Sequence, residues 1–93
     1  MSVGLLRRST VFRGRVQGVG FRATVESISR NHLVTGWVRN ESDGSVHCVS
    51  EGADSDLDAF IDAILVRMDG FISSHECDDS NGTGEYDAFY IRD

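Results

Sequence analysis

The sequence predicts an α+β domain with two layers, one a β-sheet and the other a pair of helices. Three observations support this prediction. Apolar and polar residues alternate in several short segments, as in half-buried strands. In two other segments apolar residues recur every three or four positions, as in amphipathic helices. The segments follow one another as β-α-β-β-α-β plus a terminal strand, the ferredoxin-like arrangement, in which an antiparallel sheet carries both helices on one face.

The first half of the chain predicts a strand, a helix and a second strand. Residues 9–16 (STVFRGRV) are rich in β-branched and aromatic side chains with alternating polarity, which predicts a strand. Two glycines in QGVGF then mark a tight loop. From Phe21 to His32 the apolar positions fall at helical spacing and predict about three turns of helix. Residues 34–40 (VTGWVRN) predict the second strand.

The second half predicts a hairpin, a longer helix and two further strands. An Asp-Gly turn at residues 41–44 joins the second strand to a third, SVHCVSE. The longer helix begins at Asp54 or Ser55 and ends before Gly70. The remaining predicted segments are a strand over 71–77, a polar turn over 78–85 and a last strand over 86–93. We expect the helix residues Val25, Ile28, Phe60, Ile61, Ile64 and Leu65 to pack on Phe12, Val38 and Val46 of the sheet.

Length and composition restrict the class of protein. The 93 residues predict one domain over 1–93, with 1–8 as a flexible N-terminal segment. The chain is 40% hydrophobic and 26% charged, an ordinary globular balance, and we expect no membrane partner because no apolar run is long enough to span a bilayer. Two lone cysteines, Cys48 and Cys77, are too few for a disulfide framework or a four-ligand zinc site. These features favour a reducing, cytoplasmic location.

The charges are unusual in kind and in distribution. All nine basic residues are arginines, and the absence of lysine excludes Schiff-base chemistry and a Walker-type phosphate lysine. Residues 1–40 hold seven arginines against one acid, whereas residues 41–93 hold two arginines against fourteen acids. With a net charge of −6 the whole chain should repel nucleic acid. A bound anion must therefore contact arginines in the first half of the chain.

The segment GRVQGVGFR, Gly14 to Arg22, is the candidate anion site. A glycine-rich turn at a helix N-terminus allows backbone N–H groups to converge on one point, and the helix dipole adds positive charge there. Arg22 lies in the first turn of the helix, where its planar guanidinium can hold two phosphate oxygens. Taken alone, the same features fit a tight corner followed by a solvated arginine equally well.

A second pattern overlaps this segment. Gly18 to Ala23 fits GxGxxA, and Glu41 follows at about the spacing of a dinucleotide-binding fingerprint. However, the chain after Glu41 turns back through Asp43-Gly44 into an antiparallel strand, and 93 residues are too few for a doubly wound sheet. We therefore reject a dinucleotide site.

Over residues 10–52 the chain resembles the acylphosphatases. The resemblance is carried by GRVQGVGFR (14–22), GWVRN (36–40) and DGSV (43–46), and it is the combination of the three motifs that is specific. It implies a small, cytosolic, ferredoxin-like enzyme that hydrolyses the mixed anhydride of a carboxylic acid and phosphate without metal or organic cofactor. The implied partners are an acyl phosphate and inorganic phosphate, with no nucleic acid, and the implied state is a monomer.

The resemblance also assigns residues to the site. Arg22 matches the catalytic arginine that holds the phosphoryl group, and Asn40 matches the asparagine that orients the attacking water. The backbone N–H groups of the loop complete the phosphate cradle, at Gln17, Gly18, Val19, Gly20 and Phe21. The chain departs from the family in the missing glycine near His32 and in the long acidic turn DDSNGTGE. Both departures lie away from the two catalytic positions.

Two functions of other classes remain as alternatives. A non-catalytic phosphate-binding or anion-binding regulatory module could use the same fold and loop. A single-stranded RNA binder would need exposed strand aromatics and a basic surface, which the net charge of −6 disfavours.

Other polar and aromatic residues are interpreted as structural. A metal site from His47, Cys48, His75 and Cys77 is disfavoured because alternation sends His47 and Cys48 to opposite faces of a strand. Trp37 is expected to be a half-buried sheet aromatic. The Asp-rich run 54–62 is expected to be the solvated face of the longer helix.

Overall fold

A five-stranded sheet covered on one face by two helices forms the structure, a computed structural model that describes residues 4–93. The elements are β1 (Leu6–Gly14), α1 (Phe21–Ser29), β2 (Thr35–Asn40), β3 (Val46–Gly52), α2 (Asp54–Arg67), β4 (Ile72–Asn81) and β5 (Phe89–Arg92). The strand order across the sheet is β4-β1-β3-β2-β5. The predicted ferredoxin-like order with an additional C-terminal strand is confirmed.

The prediction of an antiparallel sheet is wrong for one pair of strands. β1 pairs antiparallel with β3 and β4, and β2 pairs antiparallel with β3, but β2 and β5 run parallel, with Trp37 opposite Tyr90. The reason is a crossover: β4 lies at one edge of the sheet and β5 at the other. The sheet is therefore mixed.

Several element boundaries also differ from prediction, among them those of β1 and β4. β1 begins at Leu6, so residues 6–8 are paired strand residues and not part of a flexible segment; residues 1–3 of that segment lie outside the described residues. β4 continues to Asn81, into the predicted polar turn. Its side chains are almost all exposed because it lies at the edge of the sheet, next to β1. Alternation of burial, the signal for a strand, is therefore weak along β4.

The core lies between the helices and one face of the sheet. Phe12, Val38 and Val46 of the sheet are fully buried, and five of the six predicted helix positions are buried: Val25, Ile28, Phe60, Ile61 and Ile64. Leu65 is only half-buried and packs at the margin of this cluster. No helix within residues 4–93 has the length and apolar character to cross a bilayer.

A buried arginine connects β1, β4 and α2. Arg8, 8% exposed, donates from Nε to Asp79 at 2.8 Å and from its terminal nitrogens to Asp58 at 2.6 Å and Asp54 at 3.0 Å. The hydrogen bond to Asp79 contributes most to a raised pKa of Arg8; burial acts to lower this pKa, and the hydrogen bond to Asp58 also raises it. Two carboxylates of the Asp-rich run thus contact the sheet, although their side chains are mostly exposed as expected.

The buried carboxylate of Glu51 binds the segment that connects β4 to β5. The Glu51 side chain has no solvent exposure, and it accepts from Arg7 Nε at 2.8 Å and from the backbone N–H groups of Thr83 (3.0 Å) and Gly84 (2.9 Å). Burial is the largest influence on Glu51 and acts to raise its pKa, but these hydrogen bonds together outweigh it, so its pKa is lowered.

Replacing Glu51 by glutamine is expected to lower the free energy of unfolding by about 1–3 kcal/mol at pH 7. Because the pKa of Glu51 is lower in the folded state, its stabilisation is complete above the ordinary carboxyl pKa of about 4.3 and is lost as the pH falls through the folded-state value. Urea unfolding at pH 7, 5 and 3 measures this difference. Equal stability of the two proteins at pH 7, or a difference that grows toward pH 3, would contradict a stabilising role of the ionised Glu51 carboxylate.

Candidate active site

The loop between β1 and α1 has the backbone conformation that its glycines allow. Gly18 and Gly20 both have φ of +76°, in the left-handed region. A Cβ at either position would meet open space, so the conformation and not crowding requires glycine. Side chains there would cost about 1–2 kcal/mol in strain. The two glycines let the loop turn directly into the helix.

The N-terminus of α1 is left open by its own sequence. Gly20 is the N-cap residue and has no side chain to bond the first-turn N–H groups, and that turn, within the described part of the chain, contains no acidic residue. The first N–H groups of a helix have no partner within the helix, and the dipole places positive charge there. An anion is the natural partner for this position.

Arg22 lies at the second position of α1 and points toward the end of β5. Its Nη1 donates to the backbone carbonyl oxygen of Arg92 at 3.2 Å and lies 3.8 Å from Asp93 Oδ1. The Asp93 side chain is fully exposed and that of Arg22 is one-third exposed, so solvent weakens this ion pair. Among residues 4–93 the guanidinium thus has no strong carboxylate partner, and it can bind an anion.

Asn40 ends β2 on the face of the sheet that carries the helices. It follows the alternation set by Val38, which is fully buried in the core, whereas Arg39 projects from the open face. Asn40 is half-buried, and its Cα lies opposite Val46 of β3. The strand thus presents the amide at the margin of the core, beside the start of α1.

These elements enclose one cleft of about 210 Å³. Its lining residues are Val16, Gly18, Gly20, Phe21, Arg22, Ala23, Asn40 and Ile91. The cleft therefore brings together both side chains and three of the five backbone positions that the sequence predicts for the site. It contains a guanidinium, an amide, an open helix N-terminus and apolar walls, which suit a small tetrahedral anion carrying an apolar group.

The side chains of the other two predicted loop positions, Gln17 and Val19, do not line the cleft. The Gln17 side chain reaches the β2–β3 connection, donating from Nε2 to the carbonyl oxygens of Glu41 at 2.8 Å and Ser45 at 2.9 Å. Val19 is at the exposed outer side of the loop.

Sequence reasoning missed three lining residues, Val16, Ala23 and Ile91, and the contact of Arg22 with Arg92. Val16 and Ala23 flank the glycine motif and could have been inferred from their proximity to it. Ile91 and Arg92 could not, because their place depends on the parallel pairing of β5.

The residues considered for a metal site are separated by β1. Thr10 pairs with Cys48 on one side and with Cys77 on the other, while His47 packs its ring edge-on against Trp37 on the open face of the sheet. Cys48 is fully buried, and burial raises the pKa of its thiol. No group of three His, Cys, Asp or Glu residues suited to a metal occurs within residues 4–93.

Trp37 is more buried than predicted. Only 7% of it is exposed, and its indole Nε1 donates to the Tyr86 hydroxyl at 3.0 Å. The guanidinium groups of Arg39 and Arg92 lie 4.7 and 4.9 Å from its ring centroid. Trp37 is therefore a packing residue that ties β2 to β5.

Comparison with known proteins relates nearly the whole chain to one family. The sequence profile of the family described as Acylphosphatase matches residues 8–91. An acylphosphatase of Salinibacter ruber is 49% identical over 65 residues, 69% of this chain and 68% of its own. An acylphosphatase of Paenarthrobacter aurescens is 38% identical over 89 residues, 95% of each chain. The crystal structure of acylphosphatase from Bacillus subtilis superposes with a TM-score of 0.83 at 28% identity, covering 94% of this chain and 98% of that one. The chain belongs to the acylphosphatase family.

Proposed function

We propose that this acylphosphatase binds the phosphoryl group of its substrate between the loop 17–21 and Arg22, and that Asn40 orients the water that attacks phosphorus. The observation that carries the proposal is the convergence of three features on one cleft: the guanidinium of Arg22, the amide of Asn40 and the glycine-capped N-terminus of α1. Arg22 and the helix N-terminus would bind the phosphoryl oxygens, and Asn40 would bind the attacking water.

The reaction needs little covalent chemistry from the protein. The water oxygen forms a bond to phosphorus as the bond from phosphorus to the acyl oxygen breaks. The bonding pair leaves with the carboxylate, and the protons of the water remain on the phosphate product and its surroundings. A carboxylate is a good leaving group, so no strong general acid is needed. Catalysis of such a loose transfer is mostly positioning and stabilisation of charge on the phosphoryl oxygens.

Arg22 and the loop N–H groups supply positive charge where those oxygens would lie. The planar guanidinium can donate two parallel hydrogen bonds to a phosphoryl group, while the helix N-terminus donates from backbone positions that need no reorganisation. These groups supply the charge that a metal ion would bring to a phosphoryl transfer, which supports a metal-independent reaction without organic cofactor.

Location and assembly form part of the same proposal. Both cysteines are free thiols, and Cys77 is exposed, which supports a reducing, cytoplasmic setting. The net charge of −6 opposes self-association and binding of nucleic acid, and it supports a monomer acting on a small acyl phosphate.

Hydrolysis of benzoyl phosphate by the purified chain, with EDTA present, tests the proposal. We expect turnover that is insensitive to the chelator and that falls by about 10³-fold or more in Arg22→Ala. Loss of turnover on chelation would contradict metal independence. A folded protein that binds inorganic phosphate but does not turn over benzoyl phosphate would instead support the alternative, an anion-binding module on the same fold.

A further inference from the structure

The side chain of Gln17 leaves the phosphate loop and crosses to another element. Its Nε2 is 2.8 Å from the carbonyl oxygen of Glu41 and 2.9 Å from that of Ser45. A primary amide has two N–H donors, so each carbonyl receives one of them. Gln17 is half-buried, which shields these bonds from competing water.

The two carbonyls belong to the turn that directly follows Asn40. Within it, Glu41 N donates to the Ser45 carbonyl at 2.9 Å and Gly44 N to the Glu41 carbonyl at 3.2 Å. Asp43 Oδ1 accepts from the Ser45 backbone N–H at 3.0 Å and from its hydroxyl at 2.6 Å. The turn is thus internally bonded, and Gln17 attaches to it at both of its ends.

We propose that Gln17 is a positioning residue, which fixes the amide of Asn40 relative to the phosphate cradle through its two hydrogen bonds to the β2–β3 turn. This inference rests on the proposed role of Asn40. Arg22 and the cradle belong to the β1–α1 corner, whereas Asn40 belongs to β2. The distance between the bound phosphoryl group and the oriented water therefore depends on the contacts between this corner and the end of β2. Misplacement of a reacting group by about 1 Å can cost about 10²-fold in rate.

Few other side chains could donate both hydrogen bonds from position 17. Asparagine is one methylene shorter, and alanine has no donor. Glutamate has nearly the same shape as glutamine, but it offers no donor when ionised and a single O–H when protonated. An ionised carboxylate facing two carbonyl oxygens is disfavoured, so the pKa of a glutamate here would be raised. Gln17→Glu is therefore a variant whose defect should depend on pH.

A double-mutant cycle with Asn40 tests whether Gln17 acts through that residue. We expect Gln17→Ala to lower kcat by about 10- to 100-fold. The inhibition constant of inorganic phosphate should change by less than about threefold, because the backbone cradle and Arg22 remain. In an Asn40→Ala background, the same change should lower kcat by less than about threefold, because the group being positioned is already gone.

Two outcomes of the cycle would overturn the inference. A multiplicative loss in Gln17→Ala/Asn40→Ala would mean that Gln17 acts independently of Asn40. Weakened phosphate inhibition with kcat retained would mean that it shapes the cradle. If instead Asn40→Ala alone keeps its turnover, the proposed role of Asn40 fails, and this result is distinct from either of the others.

Gln17→Glu gives a second test that does not depend on the stability of the alanine variant. Its kcat relative to the unchanged protein should rise several-fold as the pH is lowered from roughly 7.5 to roughly 5, as the carboxyl gains a proton and with it a donor. Asn31→Asp, which adds the same charge at an exposed position beyond α1, should show no such rise. A ratio for Gln17→Glu that stays constant over this range would contradict the role of the two donated hydrogen bonds.

Discussion

Replacing Arg22 by lysine is expected to lower kcat/KM for benzoyl phosphate by about 10²- to 10³-fold, and replacing it by alanine by about 10³- to 10⁵-fold. Lysine keeps the positive charge but carries it on a compact ammonium, which cannot donate two parallel hydrogen bonds to a phosphoryl group. Its shorter reach would also lose the contact that Arg22 Nη1 makes with the Arg92 carbonyl at 3.2 Å. The lysine variant therefore separates the effect of charge from that of geometry.

The fold should tolerate both changes. The Arg22 side chain is one-third exposed, and its contacts are a single carbonyl and an ion pair with the fully exposed Asp93, so little stability depends on it. Melting temperatures measured beside the kinetics check this point. Arg30→Lys is a matched control, because Arg30 lies just beyond the other end of α1 and pairs with the partly exposed Glu26 at 3.4 Å. Full activity in Arg22→Ala, or an equal loss in Arg30→Lys, would remove Arg22 from the site, and full activity in Arg22→Lys would contradict the need for two parallel hydrogen bonds.

The meeting of Arg22 and Asn40 could be predicted from the order of the elements. β1 and β2 both run antiparallel to β3 and hence parallel to each other, so the loop after β1 and the last residue of β2 lie at the same end of the sheet. This follows from a β-α-β unit with another strand between its two strands, which the hydrophobic periodicities already indicate. The glycines of the loop predict its conformation because few other residues adopt a positive φ.

The contribution of β5 could not be predicted in the same way. The last strand has to cross from one edge of the sheet to the other, and no local pattern in YDAFYIRD specifies which edge it joins or in which direction. Its parallel pairing with β2 is what brings Ile91 to the cleft and the Arg92 carbonyl to Arg22. The role of Gln17 could not be predicted from the sequence either. Its two partners are backbone carbonyl oxygens, which every residue has, so no residue type indicates them.

Replacing Asn40 by alanine is expected to lower kcat by about 10²- to 10³-fold with little change in phosphate binding. In the proposed mechanism the amide bonds the attacking water and not the phosphoryl group, so its loss should affect the step that follows binding. The inhibition constant of inorganic phosphate, measured in competition with benzoyl phosphate, reports binding independently of turnover. It should change by less than about threefold, since the first-turn N–H groups of α1 and Arg22 are untouched.

A loss of both turnover and phosphate binding in Asn40→Ala would contradict this division of roles and would place the amide in the cradle. Asn31→Ala is the matched control, because Asn31 is exposed in the turn after α1 and lies outside the cleft. Asn40→Asp extends the test: an ionised carboxylate could still bond water, but its negative charge would repel the bound anion. This variant should therefore weaken phosphate inhibition, whereas Asn40→Ala should not. Together with the loss of kcat in Asn40→Ala, this pair of results is expected of a residue that bonds the water and lies beside the phosphoryl group without binding it.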